Sequence, residues 1–178
     1  NSNTTRTYNI DYRLDYLLID RIGNFWLLGD RGEKNGVLLN FNPKTGSYRP
    51  YPFRENTNPL SGVRPLYLYE TRDGMIWIGT NDGLFFLQPQ TGEYGVYKDD
   101  NSAGIKLPSD YVMDICEDQY GQLVLGTSSG LCILNRTTNE VRSFRKKDGL
   151  PNDMICGILP DGTGNYWLSS YNGLSYFD

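Results

Sequence analysis

The residue types that perform catalysis are scarce in this chain. None of its 178 residues is His, and His is the commonest general base and the commonest metal ligand. A Ser-His-Asp triad and a His-containing zinc site are therefore excluded within these residues. The cysteines are Cys116, Cys132 and Cys156, an odd number with no C-x-x-C spacing, so no disulfide framework is expected. Each sits among apolar residues and reads as a small buried hydrophobe. Paired carboxylates are the remaining acid–base option, and Asp110 and Asp153 are the candidates, 43 residues apart. Asp20, Asp118 and Asp161 each stand three residues before a glycine. Recurrence at one turn position points to scaffold, with the carboxylates accepting turn N–H groups as in Asx-turns. No catalytic residue, metal ligand or cofactor is expected.

The remaining polar and aromatic residues suit binding. Tyr67, Tyr111 and Tyr171 offer flat ring faces, and Arg31, Lys34, Arg64, Asp110, Asn152 and Asp153 offer hydrogen-bonding groups. The balance of 17 basic against 21 acidic residues argues against a nucleic-acid partner, which calls for a basic face. No run approaches the ~18 apolar residues of a membrane span.

These residues are positioned by a fourfold repeat. Gly23, Gly74, Gly121 and Gly164 open equivalent segments, spaced by 51, 47 and 43 residues. Each continues into an apolar run centred on Trp26, Trp77, Val124 or Trp167, then to a second glycine at Gly36, Gly83, Gly130 or Gly173. Repeat one carries four extra residues inside positions 30–35. Every repeat reads as short β-rich runs cut by Asp-Gly, Asn-Gly or Thr-Gly turns. No stretch holds a helical period. The expected fold is all-β: a β-propeller segment of about four four-stranded antiparallel blades, part of a larger ring. The tryptophans, mid-way along the second strand, are expected to wedge between neighbouring sheets.

The repeats fall at about 14–54, 63–98, 111–146 and 154–178. The last stops after its third strand, and residues 4–10 read as a spare fourth strand able to complete it. The chain either closes alone as four blades, or belongs to a larger ring finished by further sequence or by a second copy. The second alternative is the expectation.

The pattern D-x-x-G-x-h-W-h-G-T-x-x-G-L (h, apolar), best carried by residues 73–84 and 118–131, resembles the two-component regulator propeller repeat. Asp148-Gly149-Leu150-Pro151-Asn152-Asp153 resembles the linker that precedes such a repeat. The resemblance runs from about Tyr8 to Asp178. Departures are Val124 for Trp, Ser169-Ser170 for Gly-Thr, and the insertion after Gly29.

That resemblance implies a periplasmic sensor region of a hybrid two-component system, typical of Bacteroides-like gut bacteria. Such rings commonly have seven blades and are membrane-anchored in the full-length protein, with a histidine kinase in separate sequence. It further implies an oligosaccharide or glycan fragment as the signal. Contact is expected on the face carrying the variable loops, where Arg31, Lys34, Arg64, Tyr67, Asp110, Tyr111, Asn152, Asp153 and Tyr171 would meet the ligand. Other expected partners are the rest of the sensor and a second copy completing the ring. Two rival classes are a purely structural or protein-contact propeller with no small-molecule site, and a hydrolase or lyase on the same scaffold.

Overall fold

Glycine-bearing turns reverse the chain between the β-rich runs, and the computed structural model, which describes residues 4–30, 32, 35–53, 58–100 and 104–178, sets the repeats out as four antiparallel sheets. Blade 1 contains β1 (Arg13–Ile19), β2 (Phe25–Asp30), β3 (Gly36–Phe41) and β4 (Tyr48–Pro50). Blade 2 contains β5 (Pro65–Glu70), β6 (Ile76–Thr80), β7 (Gly83–Gln88) and β8 (Glu93–Tyr97). Blade 3 contains β9 (Val112–Glu117), β10 (Leu123–Thr127), β11 (Gly130–Asn135) and β12 (Glu140–Phe144). Blade 4 has β13 (Ile155–Pro160), β14 (Tyr166–Ser170) and β15 (Gly173–Phe177), and no fourth strand among the described residues. The one helical element among them is a 3₁₀ turn at Lys146–Asp148.

The turns work as their residue types require. Asp20, Asp118 and Asp161 each accept two backbone N–H bonds inside their own first turn, for example from Asn24 at 2.7 Å and Gln122 at 2.8 Å. Thr80 and Thr127 clamp the next turn, donating to Gly83 and Gly130 carbonyls at 2.9 and 2.8 Å. Gly79 and Gly126 mark close approaches between blades. A Cβ there would stand 2.6 Å from the Val112 carbonyl oxygen and 2.7 Å from that of Ile155, each on the following blade.

The core lies between blades. Trp26 packs with Leu68, Ile78 and Phe85 of blade 2, and Trp77 with Ile115, Leu125 and Cys132 of blade 3. Val124 packs with Ile155, Tyr166 and Leu168 of blade 4. Each central residue thus faces the next blade. Burial of one such indole is worth on the order of 2–3 kcal/mol.

Two expectations need correction. Trp26 and Trp77 are each 2% exposed, but Trp167 is 42% exposed, because no further described blade covers its face. Residues 4–10 form no strand and do not complete blade 4. Their neighbour is blade 1: the Tyr8 hydroxyl donates to the Pro43 carbonyl at 2.6 Å, and its ring meets Phe41 edge-on. Ile10 and Tyr12 pack on Leu27, Val37 and Leu39. No other described sheet covers that apolar face, so Ile10 and Tyr12 gain burial on it, while residues 4–9 stay exposed. Leu17 at one end of the arc is 60% exposed, as is much of the Trp167 face at the other, so the four blades do not close on themselves.

Candidate functional site

In all four blades the innermost strand enters from the variable-loop face and carries a register shift near its start, between Leu14 and Tyr16, Pro65 and Tyr67, opposite Gly126–Thr127, and between Ile155 and Gly157. Such bulges re-aim side chains where a strand begins. They set Arg13, Arg64, Tyr111 and Met154 at equivalent positions on the way into the inner strands. The variable loops meet the second-to-third-strand turns here. Arg64 N–H donates to the Asn81 side chain at 2.6 Å, Ser128 N–H to the Tyr111 carbonyl at 3.1 Å, and the Asn172 amide to the Pro151 carbonyl at 3.2 Å.

The sequence-predicted binding residues divide sharply. Asp110 Oδ1 accepts the Asp99 N–H at 2.7 Å, and Asp153 Oδ1 accepts the Lys146 N–H at 2.7 Å. These two bonds occupy equivalent places in successive loops, so both carboxylates hold the loops in shape. Burial, then the neighbouring Asp99 charge, pushes the Asp110 carboxyl above its usual value, against the Asp99 N–H bond. Asn152 Oδ1 caps Met154 N–H at 2.8 Å. By contrast, the Arg64 side chain is exposed with no partner among the described residues, and Tyr171 is 78% exposed. Tyr111 is half-buried, with its backbone N–H given to the Ser109 hydroxyl and its carbonyl to Ser128 N–H. Arg31 and Lys34 lie outside the described residues.

Tyr67 does not belong to the loop face. It lies on the inner wall, edge-on to Tyr16 of blade 1 at 5.3 Å, with its hydroxyl beside the Asp114 carboxylate of blade 3. Burial, then the Asp114 charge, pushes that hydroxyl up to about 12. Asp114 is itself buried, and burial raises its carboxyl above the usual range despite N–H bonds from Ile158 at 2.6 Å and Ile115 at 2.8 Å. This residue was missed from the sequence. Its signal was one acid in the middle of an otherwise apolar inner strand, Val112-Met113-Asp114-Ile115-Cys116.

The opposite face carries a second missed feature. Arg21 of blade 1 donates its N–H to Glu70 of blade 2, and Arg72 of blade 2 donates N–H and Nε to Glu117 of blade 3 at 2.8 and 3.1 Å. Arg72 also donates to the Asp118 carbonyl. Arg136 completes the cluster, pairing with Asp73 and Glu117 and lying 5.7 Å from the Trp77 ring centroid. Arg21 and Arg72 each follow the first residue of the turn that leaves the inner strand, Asp20 and Thr71, and blades 3 and 4 carry Gln119 and Gly162 there; the shared position of the two arginines is visible in the sequence once the repeats are aligned.

Residues 59–82 and 106–129 match the family model described as two component regulator propeller. The chain is similar in structure to the extracellular domain assigned to a one component system of B. thetaiotaomicron, with TM-score 0.71 and 20% identity, covering 92% of this chain and 21% of that one. It is similar to the extracellular domain assigned to a hybrid two component system of the same organism, with TM-score 0.68 and 23% identity, covering 90% and 21%. A third similar structure is PorZ, a surface component of the type-IX secretion system of Porphyromonas gingivalis, at TM-score 0.70 and 17% identity, covering 93% and 26%. None of the curated proteins matches the chain. The chain spans about a fifth of the length of the two B. thetaiotaomicron domains.

Proposed function

Because the chain carries two component regulator propeller repeats, we propose that it is part of the periplasmic sensing region of a membrane-anchored hybrid two-component receptor, and that its variable-loop face contacts an oligosaccharide. The chain itself performs no catalysis in this reading; phosphotransfer belongs to a kinase in other sequence. The observation that supports ligand contact is the division of labour on the loop face. Asp110, Asp153 and Asn152 are spent on backbone N–H groups, which stiffens the loops, while Arg64 and Tyr171 project with no such duty. Preorganised loops with free guanidinium and phenol groups suit hydroxyl-rich ligands. The test is a glycan screen followed by calorimetry on the chain. Binding that weakens at least tenfold in Arg64→Ala and Tyr111→Ala supports the reading; unchanged affinity in both, or no glycan bound, removes it.

A protein-contact role has its own support. Leu159, Trp167, Leu174 and Tyr176 form an exposed apolar face on blade 4. The equivalent faces of blades 2 and 3 are covered by the next blade. A further blade, from the rest of the sensor or from a second copy, is the proposed occupant. Sedimentation of the chain across a concentration series reads self-association directly.

A further inference from the structure

Blade 1 breaks the pattern of its neighbours beside its own tryptophan. In blade 2, Phe86 stands across from Trp77 on one side and Gly95 on the other. The Phe86 ring packs on the indole at 5.7 Å, and a Cβ on Gly95 would meet that ring at 2.8 Å. Blade 3 has Ile133 in the place of Phe86, and blade 4 has Tyr176. Blade 1 has Asn40, with Trp26 on one side and Arg49 on the other. An amide and a guanidinium thus replace a ring and a bare backbone. The turn after β3 adds a second cation: Lys44 stands where the matching turns of blades 2 and 3 carry Gln90 and Thr137.

These departures share one cavity of about 650 Å³, between the first and third turns of blade 1 and on the face opposite the variable loops. Asn40, Asn42, Lys44 and Arg49 line it, Phe25 and Phe41 form its apolar side, and no Asp or Glu among the described residues takes part. Asp30, Asn35, Phe53 and Asn58, which flank residues 31–34 and 54–57, are not in its wall. The polar groups of the wall are mostly donors. Asn42 Oδ1 accepts the Lys44 and Thr45 N–H groups at 2.9 and 3.3 Å, which leaves both amide hydrogens to give. The Asn40, Lys44 and Arg49 side chains have no hydrogen-bond or ion-pair partner among the described residues. The acids bonded to lining residues are engaged: Asp20 accepts from Asn24 and Trp26, and Asp11 accepts the Tyr48 hydroxyl. Two cations and two amides around one space, in a chain of net charge −4, call for an acceptor-rich anion.

We propose that this cavity binds a small organic phosphate, a monoester whose phosphoryl oxygens meet Lys44, Arg49 and the Asn40 and Asn42 amides while its carbon portion lies on Phe25 and Phe41. Donors from four separate side chains suit the three free oxygens of a tetrahedral phosphate better than the two of a planar carboxylate, and hydrogen bonds from cations to such oxygens are the strong ones. The apolar side is built: Phe25 and Phe41 meet edge-on at 6.0 Å, and Tyr8 meets Phe41 at 5.0 Å. A volume of about 650 Å³ falls within the range of small-molecule pockets. The proposal does not rest on the loop-face reading, since it uses none of the same side chains and the other face of the blades.

The test is NMR titration of the ¹⁵N-labelled chain with phenyl phosphate, inorganic phosphate and benzyl alcohol, following the Asn40 and Asn42 side-chain amides. Saturable shifts of both amides with phenyl phosphate are expected, with weaker binding of inorganic phosphate and an at least tenfold weaker response to benzyl alcohol. Lys44 and Arg49 are exposed, so Lys44→Gln with Arg49→Gln should keep the folded backbone spectrum and weaken the phenyl phosphate response at least tenfold. The control is Arg142→Gln with Lys147→Gln, which should leave the response unchanged; Arg142 stands across from Ile133 as Arg49 does from Asn40. No shift of either amide with phenyl phosphate overturns the proposal, and that result needs no variant. Equal losses in the two double variants also overturn it, in favour of diffuse attraction by surface charge. Equal response to benzyl alcohol overturns the assignment to phosphate, and equal affinity for inorganic phosphate overturns the part given to the rings.

Discussion

The Asp114 carboxylate of blade 3 accepts the Ile158 N–H of blade 4 at 2.6 Å, while Tyr67 of blade 2 lies against it from the other side. One acid therefore ties three blades together at the inner wall. Inner strands have an open edge toward the axis, and an unpaired N–H there is a cost. Asp114 satisfies one such N–H from outside its own sheet.

That position sets a pH dependence. Burial raises the Asp114 carboxyl above its unfolded value, so the folded chain holds this proton more tightly than the unfolded one. Stability from this group is full below the unfolded value and declines as pH rises through the folded one. Asp114→Asn keeps an acceptor for Ile158 and removes the charge, so it should flatten that part of the profile and cost little at neutral pH. Asp114→Ala leaves the N–H unsatisfied and should cost about 1–3 kcal/mol. Urea midpoints between pH 4 and 8 check both.

Asp20 titrates in the opposite direction. Burial opposes its ionisation, but the Trp26 indole, the Asn24 amide and two turn N–H groups hold its carboxyl below the usual value. Its contribution is present above the unfolded value and is lost as pH falls through the folded one. Asp20→Asn should remove part of the acid limb of a thermal stability profile. An unchanged limb would show that the indole bond contributes nothing.

The tryptophans should separate by burial. Trp77→Ala opens a cavity between blades 2 and 3 and should cost about 3–5 kcal/mol. Trp167→Ala removes a ring that packs on Tyr176 and is 42% exposed, so in the isolated chain it should cost clearly less than Trp77→Ala, about 1 kcal/mol. Equal losses in denaturant titration would mean that the Trp167 face is covered in solution.

Arg72 and Glu117 couple blades 2 and 3 at 3.1 Å, with the Glu side chain buried and the Arg half exposed. Partial exposure reduces the gain expected of a buried pair. A double-mutant cycle with Arg72→Met and Glu117→Gln should return a coupling of about 1 kcal/mol, smaller at high salt. Zero coupling at low salt would make Arg136 the main partner of Glu117.

Some of this was legible residue by residue. Asp-x-x-Gly and Asn-Asp-Gly turns, the Trp77-Ile78-Gly79-Thr80 run and the absence of a helical period specify hairpins through local backbone preference alone. The Asx role of Asp20, Asp118 and Asp161 followed from the same local chemistry. The candidate site was harder to read. A loop aspartate looks alike whether it faces a ligand or caps a neighbouring N–H, and only the tertiary structure shows Asp110 and Asp153 capping while Arg64 stays free.

By itself, then, the order of residues determined four sheet modules and the strand on which each indole sits, because hairpins form between residues a few positions apart. Which faces of those modules are covered was decided only in three dimensions. Trp77 is buried and Trp167 is not, residues 4–10 lie on blade 1, and Asp114 reaches blade 4 across 44 positions of chain. Those outcomes depend on contacts between blades, where burial of apolar area outweighs any local preference, and a repeating motif reads the same whether or not another sheet stands beside it.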